Sequence, residues 1–218
     1  MIVSSMSKIE ASSKITELVQ RLRSRYPDAT CSLNFNSAFE LLIATILSAQ
    51  CTDERVNQVT AKLFLKYRTV ADFANASREE LEQDVHSTGF YRNKAKNIQA
   101  TAQKILDQFN GSVPETMDEL LTLPGVARKT ANLVLGTCFG IRSGVVVDTH
   151  VKRVSNRLGL TNSTNPEKIE KDLMQQIPEK DWIDFSHMLV LHGRQVCKAL
   201  KPLCSECILA DICPSQQS

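Results

Sequence analysis

The chain reads as an all-α protein, and three features predict it. Gly 8 and Pro 7 are few for 218 residues, so little punctuates long helices. Apolar residues recur at spacings of three and four. No apolar–polar alternation long enough for a sheet occurs, nor any internal repeat of about 20–50 residues.

The elements follow in order. Ser12–Arg25 sets Ile15, Leu18, Val19 and Leu22 on one face, and Tyr26-Pro27 stops it. Ser37–Gln50 is apolar on most sides and too long for an ordinary strand, which predicts a buried helix. Asp53–Tyr67, Thr69–Asn75 and Ser77–Ser87 come next, the last with Ser77 and Glu80 spaced as a capping box. Arg92–Phe109 is a long amphipathic helix that ends at Asn110-Gly111. Met117–Leu121 and Lys129–Phe139 are shorter, with Pro124-Gly125 between them. Gly144–Val147 is an isolated extended piece. Thr149–Leu158, Pro166–Ile177 and Trp182–Cys197 complete the helices.

Composition narrows the function classes. Hydrophobic residues at 42% and charged residues at 23% exclude a largely disordered chain. No apolar run reaches the ~18 residues of a membrane span. Met1–Lys8 lacks the apolar stretch of a signal peptide. The expected location is the cytoplasm, on the nucleoid if the source is bacterial. The net charge is only +2, but residues 120–160 carry Arg128, Lys129, Arg142, Lys152, Arg153 and Arg157 against Asp148 alone. Such a local basic stretch suits a polyanion, although a solvated basic face would look the same.

Three constellations carry chemistry. Leu123-Pro124-Gly125-Val126-Ala127-Arg128-Lys129-Thr130-Ala131 joins a short helix to a second one through a glycine turn. Free backbone N–H groups at such a helix start form an anion site, and Gly lets the backbone approach a phosphate. By itself, a Pro-Gly turn between helices need be no more than a turn. Lys129 falls in the first turn of the second helix, where the positive dipole end disfavours an ammonium. A lysine freed of its proton can attack a sugar C1′ as a Schiff-base nucleophile; a plain phosphate contact is the alternative. Val145-Val146-Val147-Asp148-Thr149-His150 delivers Asp148 to the N-cap of the next helix. It is either a simple cap or a rigidly held carboxylate able to take a proton or stabilise an oxocarbenium ion.

The seven cysteines are unevenly spread: Cys31, Cys51 and Cys138 are scattered, whereas Cys197-x6-Cys204-x2-Cys207-x5-Cys213 forms one cluster. In a reducing compartment such a cluster reads as a metal site. Zinc sites usually pair two Cys-x2-Cys units across about 12 or more residues, and only one such unit occurs. Four thiolates on one short loop suit a [4Fe–4S] cluster better. Lys198 and Lys201 lie in its first loop and could touch phosphates. His150, His187 and His192 read as structural histidines.

Together the Leu-Pro-Gly-Val-x-Arg-Lys-Thr-Ala hairpin, the Val-Asp-Thr-His segment and the cysteine tail resemble the endonuclease III family. Those enzymes are DNA glycosylases and abasic-site lyases of the helix-hairpin-helix superfamily. The likeness extends to Phe39–Asp53 and Gly89–Lys96. It implies a six-helix barrel domain over residues 31–142, with the helix-hairpin-helix motif at about 118–139. Residues 1–30 and 143–218 would form an iron–sulfur cluster domain. It further implies that Lys129 is the nucleophile, Asp148 its carboxylate partner, and Cys197, Cys204, Cys207 and Cys213 the ligands of a [4Fe–4S] cluster.

DNA contacts would come from Gly125, Val126, Ala127, Arg128, Thr130, His150, Lys198 and Lys201. Gln50 would fill the space of the flipped nucleotide, and Phe90 would wedge against the opposite strand. Ala127 stands where the hairpin commonly has Gly, which calls either for an ordinary helical φ there or for a slightly impaired approach to the phosphate. The implied partner is double-stranded DNA with damaged pyrimidines or abasic sites, bound by a monomer without membrane contact. The implied reaction removes oxidised pyrimidines and cleaves the abasic site by β-elimination. A pyrimidine-dimer or mismatch glycosylase of the superfamily, and a non-catalytic hairpin DNA-binding module, are the alternatives. Adenine-mismatch enzymes use a Glu on the early buried helix, and no acidic residue lies between Glu40 and Asp53.

Overall fold

The computed structural model describes residues 3–216 and is helical, with no strand among them. The expectation about Met1–Lys8 therefore lies partly outside the described residues. The helices are α1 (Val3–Arg25), α2 (Ala38–Leu47), α3 (Asp53–Lys66), α4 (Val70–Ala74), α5 (Arg78–Val85) and α6 (Tyr91–Phe109), then α7 (Met117–Leu121), α8 (Arg128–Phe139), α9 (Thr149–Arg157), α10 (Pro166–Gln176) and α11 (Trp182–Gln195). Short 3-10 turns occupy His86–Thr88, Glu179–Asp181, Cys204–Glu206 and Ala210–Ile212.

Side chains set most of the helix starts. Ser37, Thr52, Thr69, Ser77, Thr116, Asp148 and Asn165 each accept a bond from the backbone N–H three residues on. The reciprocal capping box forms at Thr69 and Asp72. At Ser77, read from sequence as such a box, the hydroxyl instead donates to Glu79, two residues on, at 2.9 Å. Helix α1 starts at Val3, well before Ser12, because no Pro or Gly interrupts the residues ahead of Ser12.

Two compact units divide the chain: residues 31–143, and residues 1–30 with 144–218. In the first, Leu41–Leu47 of α2 is buried on every side and forms the centre of the core. Phe73 of α4 is 1% exposed and meets Phe39 edge-on at 5.4 Å. Helix α6 packs against α2, α4 and α5, while α8 packs against α2 and α7. In the second unit, α11 packs against α1 and α9. Gly193 lets α9 approach α11 closely, since a Cβ there would sit 3.0 Å from the His150 Cβ.

Candidate functional site

The α7–α8 turn is built as its glycine predicts. Gly125 has φ +78°, and a Cβ would lie 2.8 Å from the Asn97 Nδ2 and 2.9 Å from its Cβ. Only Gly fits both demands. The Val126 amide, which the sequence left open to an anion, instead closes the turn onto the Leu123 carbonyl at 3.1 Å. Val126 and Thr130 bury their side chains, whereas Gly125, Ala127 and Lys129 are exposed and Arg128 is half-buried. Ala127 has φ −100° and ψ 169°. It is an extended N-cap rather than the helical residue the sequence called for, and Ala adopts that backbone without strain. Its methyl cannot cap α8, so the N–H groups of Arg128, Lys129 and Thr130 point out of the helix start. Lys129 is the second residue of α8 and stands among those donors.

Two further loops of the same unit carry Gln50 and Phe90. Both have left-handed backbones, φ 53° and φ 47°, and both are exposed, Phe90 by 64%. Non-glycine residues hold such angles at a cost of about 1–3 kcal/mol and collect at functional sites. Helix α2 therefore ends at Leu47 and not at Gln50, because the chain must turn before that residue.

Asp148 belongs to the other unit. Its Oδ1 accepts from the Val151 N–H at 2.7 Å, and its second oxygen is not needed for the cap. The extended run before it is anchored where the Val146 N–H donates to Ser186 Oγ at 2.9 Å. His150 is half-buried against Arg153 and Gly193, and burial lowers its pKa more than Asp148 raises it.

All four clustered cysteines line one cavity of about 220 Å³ beside Val154, Leu158 and His192. That is room for an inorganic group of several atoms. Among the described residues no three His, Cys, Asp or Glu side chains converge on a single-ion site. Burial pushes the Cys207 and Cys213 thiols up, and a metal's charge would offset this. The Leu209 N–H reaches Cys207 Sγ at 3.4 Å, and Arg157 Nη1 reaches Cys197 Sγ at 3.2 Å. The residues fit an iron–sulfur cluster.

Arg153 and Arg157 were not singled out in the sequence beyond their charge. Arg157 donates to the carbonyls of Lys198 at 2.7 Å and Ala199 at 2.8 Å, and Arg153 to Cys197 at 3.1 Å. Two of the central basic residues thus hold the first loop of the cluster, which presents Lys198 and Lys201 to solvent. Their spacing of four on α9 puts them on one face and was the available signal.

Residues 43–179 match the model of the HhH-GPD superfamily of base excision DNA repair proteins, and residues 197–213 match the iron–sulfur binding domain of endonuclease III. Endonuclease III of Synechocystis sp. is 57% identical over 218 residues, covering 99% of this chain and 100% of that one. A solved non-covalent endonuclease III–DNA complex superposes with TM-score 0.90 at 47% identity, covering 94% of this chain and 96% of the other. A trapped endonuclease III–DNA covalent intermediate gives 0.89 and 46%, with the same coverage. The chain belongs to the endonuclease III family of helix-hairpin-helix base excision repair enzymes, which are DNA glycosylases and abasic-site lyases with an iron–sulfur cluster.

Proposed function

We propose that the chain removes oxidised pyrimidines from double-stranded DNA and cleaves the resulting abasic site, with Lys129 as nucleophile and Asp148 as its carboxylate partner. The observation that carries this is Lys129 itself, an exposed amine in the first turn of α8, just after a turn whose glycine cannot be replaced. Backbone donors at Gly125, Ala127 and the start of α8, with Arg128, His150, Lys198 and Lys201, hold phosphates and leave sequence unread. A base inside the stack is out of reach, so it must be extruded. Gln50 fills the vacated space and Phe90 wedges against the opposite strand.

The Lys129 amine then forms a bond to C1′ as the base leaves. Asp148 accepts the proton the amine gives up, or balances positive charge at C1′. The resulting iminium acidifies C2′; loss of that proton breaks the C3′–O bond and nicks the strand 3′ to the lesion. Cys197, Cys204, Cys207 and Cys213 hold a [4Fe–4S] cluster, which orders their loop and enters none of these steps. We assign the barrel domain to residues 31–142, with the hairpin motif at about 118–139, and the cluster domain to 1–30 and 143–218. The chain acts as a cytoplasmic monomer, and no described helix is long and apolar enough to cross a membrane.

Assay of nicking on duplexes carrying an oxidised pyrimidine, a pyrimidine dimer or an adenine mismatch tests the substrate assignment. Preference for the oxidised pyrimidine is expected. Preference for either of the others would contradict it.

A further inference from the structure

Lys94 is 4% exposed and has no acidic partner among the described residues. Lysine is among the residues least often buried, and an unpaired buried ammonium is costly. Burial holds its pKa below the ordinary lysine value, against a smaller raising effect of Cys51. Nζ instead donates to two carbonyls, Leu47 at 2.8 Å and Thr88 at 2.7 Å, and the Lys94 backbone N–H donates to the Phe90 carbonyl at 3.1 Å.

Those carbonyls are not arbitrary. Leu47 is the last residue of α2, three before Gln50, and Thr88 is two before Phe90. One side chain therefore joins the stems of the two loops whose tips hold left-handed backbones. Further along α6, at spacings of three and four, the same face carries Asn97, Thr101 and Lys104. Asn97 fills the space under Gly125, Thr101 Oγ1 donates to the Pro124 carbonyl at 2.7 Å, and Lys104 Nζ donates to the Thr122 carbonyl at 2.9 Å. A single helix face thus fixes the Gln50 loop, the Phe90 turn and the phosphate-binding hairpin relative to one another.

We propose that Lys94 is a positioning residue for lesion recognition, its ammonium pinning the Gln50 and Phe90 loops in the conformations that enter the duplex. This rests on the assignment of Gln50 and Phe90 as inserting residues. A residue that only filled the core would stabilise the domain without favouring damaged over undamaged DNA.

The test uses the full-length protein with its cluster and measures affinity for a duplex with a tetrahydrofuran abasic analogue and for the undamaged duplex. Lys94→Met removes the donors at similar length and is expected to lower the ratio of the two affinities by about tenfold. In a Gln50→Ala/Phe90→Ala background, which itself lowers the ratio, Lys94→Met should cost no more than about twofold further, the non-additivity of groups acting as a unit. Lys94→Gln, which still donates, should recover part of the ratio, and it decides by the same criterion if Lys94→Met does not fold. An unchanged ratio in the Lys94 variants beside a lowered one in Gln50→Ala/Phe90→Ala overturns the role of Lys94. So do equal fold losses in both backgrounds. An unchanged ratio in Gln50→Ala/Phe90→Ala overturns the assignment beneath it, and the Lys94 proposal with it.

Discussion

Gly125 shows how one residue ties backbone geometry to function. Its φ of +78° strains any residue that carries a Cβ, and the Asn97 side chain beneath it leaves no room for one. Gly125→Ala should destabilise the barrel unit by more than ~1 kcal/mol in a urea melt, from the left-handed backbone alone, and should weaken DNA binding by displacing the α8 start. A variant with unchanged stability would mean that Asn97 and the turn give way freely. Two residues on, Ala127 stands where the hairpin commonly has Gly without backbone strain, because its φ is negative. Asp148 separates stability from chemistry. Asp148→Asn keeps an acceptor for the Val151 N–H, so thermal stability should fall by less than the ~1 kcal/mol of a lost cap. Glycosylase turnover should nevertheless drop severely; wild-type turnover would leave Asp148 a cap and nothing more.

Among the helices, the starts of α6, α8 and α11 have no side-chain cap, and in the first two Phe90 and Ala127 occupy the cap positions. Both lie at proposed DNA contacts, where function and not helix propensity selects the residue. The same conflict marks the limit of sequence reading. Periodicity located every helix from Asp53 to Gln195 within a few residues, since burial imposes it. It carried α2 through to Gln50 because apolar spacing does not report a left-handed residue. It left Lys94 unnoticed because a pattern that counts lysine as polar places it at the surface. Helix α9 presents Arg153 and Arg157 to the cluster loop for a similar reason: their charge was legible, their carbonyl partners some 40 residues away were not. Arg157→Ala should loosen that loop by about 1 kcal/mol or more. Faster loss of iron on dialysis and weaker DNA binding at raised salt should follow, because phosphate contacts act through counterion release. Iron retention equal to wild type would show that Cys ligation alone holds the loop.

For the whole molecule, the chain leaves one unit after Thr30, completes the other, and returns at Gly144. The motifs made this legible only as a resemblance, because nothing in composition changes at either crossing. Each unit has its own apolar core, and among the described residues the segment after Val196 contributes only Leu209 to the buried set. Ligation must therefore order that segment. Purified protein should hold about four irons and four sulfides per chain without stoichiometric zinc. Chelation should unfold Cys197–Cys213 before the helices melt, a sequence that circular dichroism and limited proteolysis can resolve; zinc in place of iron would contradict the ligand assignment. The central claim, that Lys129 forms a covalent bond to the sugar, is tested most directly by borohydride reduction during reaction with an abasic duplex. The account predicts a stable protein–DNA adduct mapped by mass spectrometry to the peptide containing Lys129, and none with Lys129→Gln, which still folds and binds. An adduct of equal yield in Lys129→Gln, or one mapped to another lysine, would contradict it.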